Sequence, residues 1–68
     1  MNPTYAPIQI DASVYIQDLD RFGYVCKMFN EFGNYTELYA FATAAVVEFK
    51  DGKYAACPIE MLVPVGVA

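Results

Sequence analysis

An Asp-Gly pair at positions 51 and 52 separates two apolar runs, and it constrains the fold more than any other stretch of the chain. Asp-Gly between alternating hydrophobic runs is a strong signal for a β-hairpin, because both residues accept the positive φ of a two-residue type I′ loop. Counting outward from that loop pairs Phe49 with Tyr54 and Val47 with Ala56, with their side chains toward a core. The alternating positions would then face outward: Val46, Glu48, Ala55 and Cys57.

Length and composition set the class of protein. The chain has 68 residues, enough for one domain, and 57% of them are hydrophobic, which argues against disorder. A core of this size gives marginal stability, and small domains commonly gain stability by forming oligomers. Uncharged stretches are too short, or too interrupted by proline, to cross a bilayer, and no basic segment leads into an apolar run. We therefore expect no membrane partner and a cytoplasmic location.

Charge and cysteine usage exclude several classes of function. The net charge is −4 with only four basic residues, which argues against nucleic acid as a partner because such affinity depends on neutralised phosphates. Cys26 and Cys57 lack metal-ligand spacing and the chain has no histidine, so we predict no metal site and no cofactor. Both cysteines are expected to be free thiols, because nothing indicates export.

The first half of the chain reads as an N-terminal arm followed by strands. Residues 1–11 contain Pro3 and Pro7, which deny this segment the donors of a central strand and predict an arm on the surface. Residues 12–68 would form the domain. Strands are predicted at 12–17 and 23–30, because both are rich in β-branched and aromatic residues, with a loop at 18–23.

Residues 31–44 allow two interpretations. Gly33-Asn34 predicts a hairpin turn between Phe29 and Thr36, whereas the run from Asn34 to Glu37 fits a helix capping box, followed by apolar residues at helical spacing. We favour the strand pairing, since the flanking segments are strands. Beyond the central hairpin, residues 58–62 predict one turn of 3₁₀ helix before a last strand at 63–67, which Pro64 would confine to an edge.

The order of these elements resembles that of SH3-like small barrels of the KOW and Tudor kind. The resemblance rests on residues 23–25 (Gly-Tyr-Val), 47–52 (Val-Glu-Phe-Lys-Asp-Gly) and 58–65 (Pro-Ile-Glu-Met-Leu-Val-Pro-Val). It implies an all-β, SH3-like small barrel of five or six short antiparallel strands with an N-terminal arm. The core predicted for this barrel comprises Val14, Ile16, Val25, Val47, Phe49, Tyr54, Ala56 and Leu62.

A more distant resemblance is to the plasmid-borne type II dihydrofolate reductase, an SH3-like barrel in which a strand before a proline lines the pore of a tetramer. Its Val-Gln-Ile-Tyr corresponds to Tyr54, Ala55, Ala56 and Cys57 here. The resemblance implies an oligomeric reductase as an alternative function. The hydrogen-bonding Gln and Tyr of that family are replaced in this chain.

Eleven aromatic residues suggest a second alternative, an aromatic cage that reads a methylated cation. Tyr15, Phe22 and Tyr24 would supply the rings and Asp18 or Asp20 the carboxylate. The competing interpretation is that the aromatic side chains fill the core of a small barrel. Catalysis is the least expected class of function, because no possible nucleophile has an evident general base beside it. We therefore predict no catalytic residue.

The function predicted from the sequence is therefore a non-enzymatic protein-binding module, such as a small stoichiometric inhibitor or adaptor of the kind found in phages. Tyrosine is enriched at protein interfaces, and this chain has six. The partner would be a protein, and the chain would also form a homodimer. The predicted interface is the outer face of the hairpin, with Val46, Glu48, Ala55 and Cys57.

Overall fold

The structure is a computed structural model, and it describes residues 8–65. Within that range the chain forms six strands: β1 Ser13–Ile16, β2 Arg21–Phe29, β3 Tyr35–Thr36, β4 Ala44–Phe49, β5 Tyr54–Pro58 and β6 Leu62–Pro64. Single 3₁₀ turns occupy Tyr39–Phe41 and Ile59–Met61. No helix among the described residues is long and apolar enough to span a membrane.

All strand pairs are antiparallel, and the sheet has the order β5-β4-β2-β1-β6, with β3 attached to β2. Within residues 8–65 the end strands β5 and β6 do not pair with each other, so the sheet is not closed. The predicted all-β fold of five or six short antiparallel strands is confirmed. The 3₁₀ turn before the last strand and the edge position of the strand that contains Pro64 also agree with prediction.

The core lies on one side of this sheet, and the buried residues that form it are apolar. Six of its predicted members are buried: Val14, Ile16, Val25, Val47, Phe49 and Leu62. The other predicted members, Tyr54 and Ala56, are exposed. The core also contains four residues that the sequence pattern did not predict to be buried: Ile8, Met28, Ala45 and Cys57.

The error at Tyr54 and Ala56 comes from the length of the hairpin loop. The Phe49 N–H donates to the Lys53 carbonyl at 2.7 Å, and the Gly52 N–H donates to the Phe49 carbonyl at 2.9 Å, which closes a three-residue loop over 50–52. Gly52 alone adopts the left-handed conformation there, with a φ of 86°. The register therefore slips by one residue from the predicted one.

A one-residue slip turns every side chain of a strand to the other face. Val47 pairs with Ala55 and Val46 pairs with Ala56 in the observed register. Ala55 and Cys57 consequently point toward the core, where Cys57 is buried and Ala55 packs against the buried cluster. The prediction that these two residues face outward is wrong.

A β-bulge interrupts β2. Val25 pairs with Val47, but Lys27 pairs with Val46, so Cys26 is the extra residue. The bulge changes the alternation along β2 and brings Met28 into the core. Neither a glycine nor a proline marks this position, and the sequence pattern did not predict it.

The N-terminal arm and the segment 31–44 also differ in part from expectation. Ile8 is only 2% exposed and joins the core, so the end of the predicted arm is not a surface segment. Residues 1–7 of the arm lie outside the described residues. The favoured strand pairing is confirmed, because β3 pairs with β2, but the loop covers residues 31–33 and Asn34 pairs with Asn30. A 3₁₀ turn rather than an α-helix follows.

Candidate functional site

The side of the sheet opposite the core, called the outer face below, is formed by the side chains that alternate with the buried ones. Because Val14 and Ile16 are buried, Tyr15 must point outward from β1. Gly23 and Val25 are likewise buried in β2, so Phe22 and Tyr24 point outward. The outer face also includes Val46 and Glu48 from β4, Tyr54 and Ala56 from β5, and Val63 from β6.

Strand pairing arranges these residues in rows. Tyr24 lies opposite Glu48, and Glu48 lies opposite Tyr54, which makes one row across β2, β4 and β5. A second row runs from Val63 through Tyr15 to Phe22 across β6, β1 and β2. Side chains opposite each other in a sheet are about 5 Å apart, so each row is a continuous surface.

Several of these side chains are unusually exposed for their size. The exposed fraction is 63% for Phe22, 51% for Tyr24 and 62% for Tyr54. Between Phe22 and Tyr24 the surface has a shallow cleft of about 300 Å³, which Ser13, Gly23, Lys50 and Val65 also line. The outer face is therefore aromatic and open, with a carboxylate at Glu48 and an ammonium group at Lys50.

The structure brings the predicted cage residues Tyr15, Phe22 and Tyr24 onto this one face. Tyr15 and Phe22 are in ring contact, with centroids 4.9 Å apart and planes tilted by 48°. The Tyr15 hydroxyl donates a hydrogen bond to the Asp20 carboxylate at 2.5 Å, and this bond is the main reason that the pKa of Tyr15 is raised. The two rings pack on each other and leave no space for a cation between them.

Cys26 follows the buried Val25 in β2, so it lies on the outer face, where it is beside Glu48. Its thiol lies 3.7 Å from the Glu48 Oε1 and donates to it weakly. Burial and then the negative charge of Glu48 raise the pKa of the Cys26 thiol. A thiol with a raised pKa has little thiolate at neutral pH.

The predicted interface residues are divided between the two sides of the sheet. Val46 and Glu48 lie on the outer face, half-buried, whereas Ala55 and Cys57 lie on the core side. Burial, followed by the charge of Asp18, raises the pKa of the Cys57 thiol. The residues that sequence reasoning missed are Tyr54 and Ala56, and a three-residue loop would have placed both of them correctly.

The positions matched to the reductase strand are divided by the same register. Tyr54 and Ala56 point outward, while Ala55 and Cys57 point inward, so the four do not line one surface. Among residues 8–65 no cluster of acidic or thiol side chains is grouped to hold a metal ion.

A second exposed aromatic group lies at the far end of β2. Phe32 and Phe41 line a cleft of about 290 Å³ with Asn30. The Asn30 side chain holds this turn, since its Oδ1 accepts the N–H groups of Phe32 and Asn34. These rings come from a turn and a 3₁₀ segment, whereas those of the outer face come from the strands of the sheet.

Comparison with known protein families, characterised proteins and solved structures found no match for this chain.

Proposed function

We propose that this protein is a non-enzymatic module that binds a protein partner through its outer face. The observation that carries the proposal is the exposure of Phe22 and Tyr24 on β2 and of Tyr54 on β5, two strands of one sheet that are joined through β4. Large contiguous apolar patches on a soluble domain usually mark a contact surface. The partner is expected to present an apolar surface of matching size.

The physical chemistry of the outer face favours protein recognition. Tyrosine gives a large contact area at little cost in side-chain entropy, and it is enriched at the centres of interfaces. The rings project from paired strands, so little ordering is needed on binding. Glu48 lies between Tyr24 and Tyr54, so its carboxylate is a charged hydrogen-bond acceptor between two aromatic rings. Such a carboxylate would select partners that present a donor at that point.

The proposal includes the class of protein suggested by the sequence. A small acidic domain with one binding face is suited to act as a stoichiometric inhibitor or adaptor, and we place it in the cytoplasm. The order of elements supports the resemblance to SH3-like small barrels: a hairpin at Asp51-Gly52, a 3₁₀ turn at Ile59–Met61 and a short closing strand. That resemblance concerns the fold, and the binding role rests on the exposed rings.

The test compares capture by the native protein and by a variant of the outer face. Immobilised protein would be exposed to a cell extract, and the bound proteins would be quantified by mass spectrometry. A Tyr24→Ser/Tyr54→Ser variant should lose the specific partner at least about tenfold, since removal of central aromatic contacts commonly costs 2 kcal/mol or more. Phe32→Ser, which removes an exposed ring elsewhere, should retain it.

The result that contradicts the proposal is a partner that the outer-face variant retains and the Phe32→Ser variant loses. Circular dichroism of both variants would show that each is folded. Tyr24 and Tyr54 are both more than half exposed, so neither substitution opens the core.

Recognition of a methylated cation is the second candidate, favoured by the grouping of Tyr15, Phe22 and Tyr24 near Asp20. It requires the Tyr15 and Phe22 rings to separate on binding. Titration with methyl-lysine peptides tests it: binding that Tyr24→Ala abolishes would support a cage, and no binding to the native protein would exclude one.

A further inference from the structure

Strand β5 has a free edge. Along two antiparallel strands, residue pairs that hydrogen-bond to each other alternate with pairs that do not. Phe49 and Lys53, next to the turn, are a hydrogen-bonded pair. Ala55 and Cys57 therefore direct their backbone groups toward β4, and Tyr54 and Ala56 direct theirs away from it. No other strand among residues 8–65 pairs with that side of β5. The backbone N–H and C=O groups of Tyr54 and Ala56 are thus available for pairing.

The ends of this edge are limited by particular residues. Pro58 is the next residue whose backbone points away from β4, but it has no N–H to donate. The part of the edge that can form hydrogen bonds is therefore shorter than β5. At the other end, Gly52 donates its N–H to Phe49 within the loop. The usable part of the edge is therefore Tyr54 to Ala56.

We propose that a second copy of this chain occupies the edge, with β5 pairing antiparallel to β5 of the partner subunit about a two-fold axis at Ala55. In this register Tyr54 lies opposite Ala56 of the partner subunit, and Ala56 lies opposite Tyr54 of the partner subunit. Both backbone groups of Tyr54 and of Ala56 are then bonded. Moving the axis to Ala56 would place Tyr54 opposite Pro58 of the partner subunit, which has no N–H, and would leave backbone groups unpaired. Moving it to Tyr54 would place the two Tyr54 rings against each other and crowd them.

Side-chain size is complementary in the same register. On the outer face each Tyr54 ring lies over the small Ala56 of the partner subunit. On the core side Ala55 meets Ala55 of the partner subunit at the axis, where a large side chain would hold the strands apart. A hydrogen-bonded edge with small residues at the axis allows close approach.

Charge is complementary as well. The groove beside the β5 edge has a volume of about 310 Å³, and Asp18 lines it together with Leu19, Cys57 and Met61. The proposed register places Lys53 opposite Cys57 of the partner subunit, and so next to Asp18 of the partner subunit. The symmetry repeats this contact, so two opposite-charge pairs flank the axis. This pairing does not depend on the outer face having a separate partner. It replaces the dimer through Val46, Glu48, Ala55 and Cys57 that the sequence predicted.

Sedimentation of the native protein from micromolar to millimolar concentration is the first test. We expect the mass to rise with concentration from 7.6 kDa toward twice that value. Ala56→Pro removes one edge-facing donor and no bond to β4, and it should leave a monomer at all concentrations. A native protein that stays monomeric at millimolar concentration would overturn the proposal, as would a dimer that Ala56→Pro does not weaken.

The second test examines the register and does not depend on a proline being tolerated in β5. Lys53→Glu should weaken the dimer at least about tenfold, because it places two carboxylates together on each side of the axis. Lys50→Glu, with the same change of net charge on the same turn, should not. A Lys53→Glu/Asp18→Lys variant should restore the dimer, and equal behaviour of the two single variants would contradict the register.

Hydrogen exchange supplies a direct readout of the edge. In the dimer, the amides of Tyr54 and Ala56 should become protected as concentration rises, while those of Ala55 and Cys57 should be protected throughout. Protection of Tyr54 and Ala56 that does not change with concentration would contradict pairing between copies.

Discussion

The guanidinium carbon of Arg21 lies 4.0 Å from the centre of the Phe49 ring. Phe49 is the last buried residue of β4 before the hairpin loop. The same guanidinium group donates to the Asp51 carboxylate at 3.2 Å. Arg21 therefore joins the start of β2 to the loop and covers the end of the core with a cation.

Replacing Arg21 with alanine should destabilise the domain by about 1 kcal/mol, because it removes a cation–π contact and exposes the Phe49 ring. Urea unfolding followed by circular dichroism would measure the change. Lys27→Ala, which removes a charge elsewhere on β2, is the matched control and should change stability less. Equal losses from the two substitutions would show that the Arg21 contact contributes nothing specific.

Stability should depend on pH through Asp51. The Lys53 backbone N–H, and then Arg21, hold the pKa of this carboxyl below its ordinary value of 3.8. Between the lowered pKa and 3.8 the unfolded chain binds more protons at this residue, so the free energy of unfolding falls as pH falls through that window. Urea unfolding at a series of acidic pH values should show a shallower decline in Asp51→Asn than in the native protein. An identical decline in both would contradict this role.

Gly23→Ala should be strongly destabilising. A Cβ at this position would lie 2.5 Å from the Val47 Cγ1 and 2.6 Å from the Glu48 carbonyl oxygen. Overpacking of this kind costs about 1–3 kcal/mol or more, since part of the obstruction is backbone. Gly33→Ala meets no atom within 4 Å and carries only the cost of a φ of 82°. Thermal unfolding should show the larger loss at Gly23, and the opposite order would contradict the close approach of β2 to β4.

The two free thiols should differ in their rates of alkylation. Cys57 is only 7% exposed, whereas Cys26 is half-buried on the outer face. Burial raises the pKa of both thiols, so both should react slowly with iodoacetamide at neutral pH, and Cys26 should react first. Peptide mapping after limited alkylation would give the order. Faster modification of Cys57 would mean that it faces outward.

The sequence was sufficient to predict the strands and most of the core, because hydrophobic alternation marks both directly. Val14 and Ile16 in β1 and Val47 and Phe49 in β4 follow this pattern without exception. The bulge at Cys26 could not be predicted in this way, since it depends on how β2 bends to pair with both β1 and β4.

The outer face was predicted only in part, because the Asp-Gly signal does not define loop length. A two-residue type I′ loop and a three-residue loop both need glycine in the left-handed conformation at the same position. One local and one tertiary contact stabilise the longer loop here: Asp51 accepts the Lys53 N–H at 3.1 Å, and it also binds Arg21. Arg21 is 30 residues away in sequence, so a local pattern could not reveal it.

The register of the central hairpin is the claim on which both the outer face and the β5 edge depend. It predicts that Glu48 lies opposite Tyr54 and that Val46 lies opposite Ala56. Both are non-hydrogen-bonded pairs, in which the Cα atoms are about 4.5 Å apart and the Hα atoms are in contact. Nuclear Overhauser spectra of the native protein measure this directly. Strong Hα–Hα cross-peaks between Glu48 and Tyr54 and between Val46 and Ala56 are the expected result, whereas cross-peaks between Phe49 and Tyr54 and between Val47 and Ala56 would contradict the account.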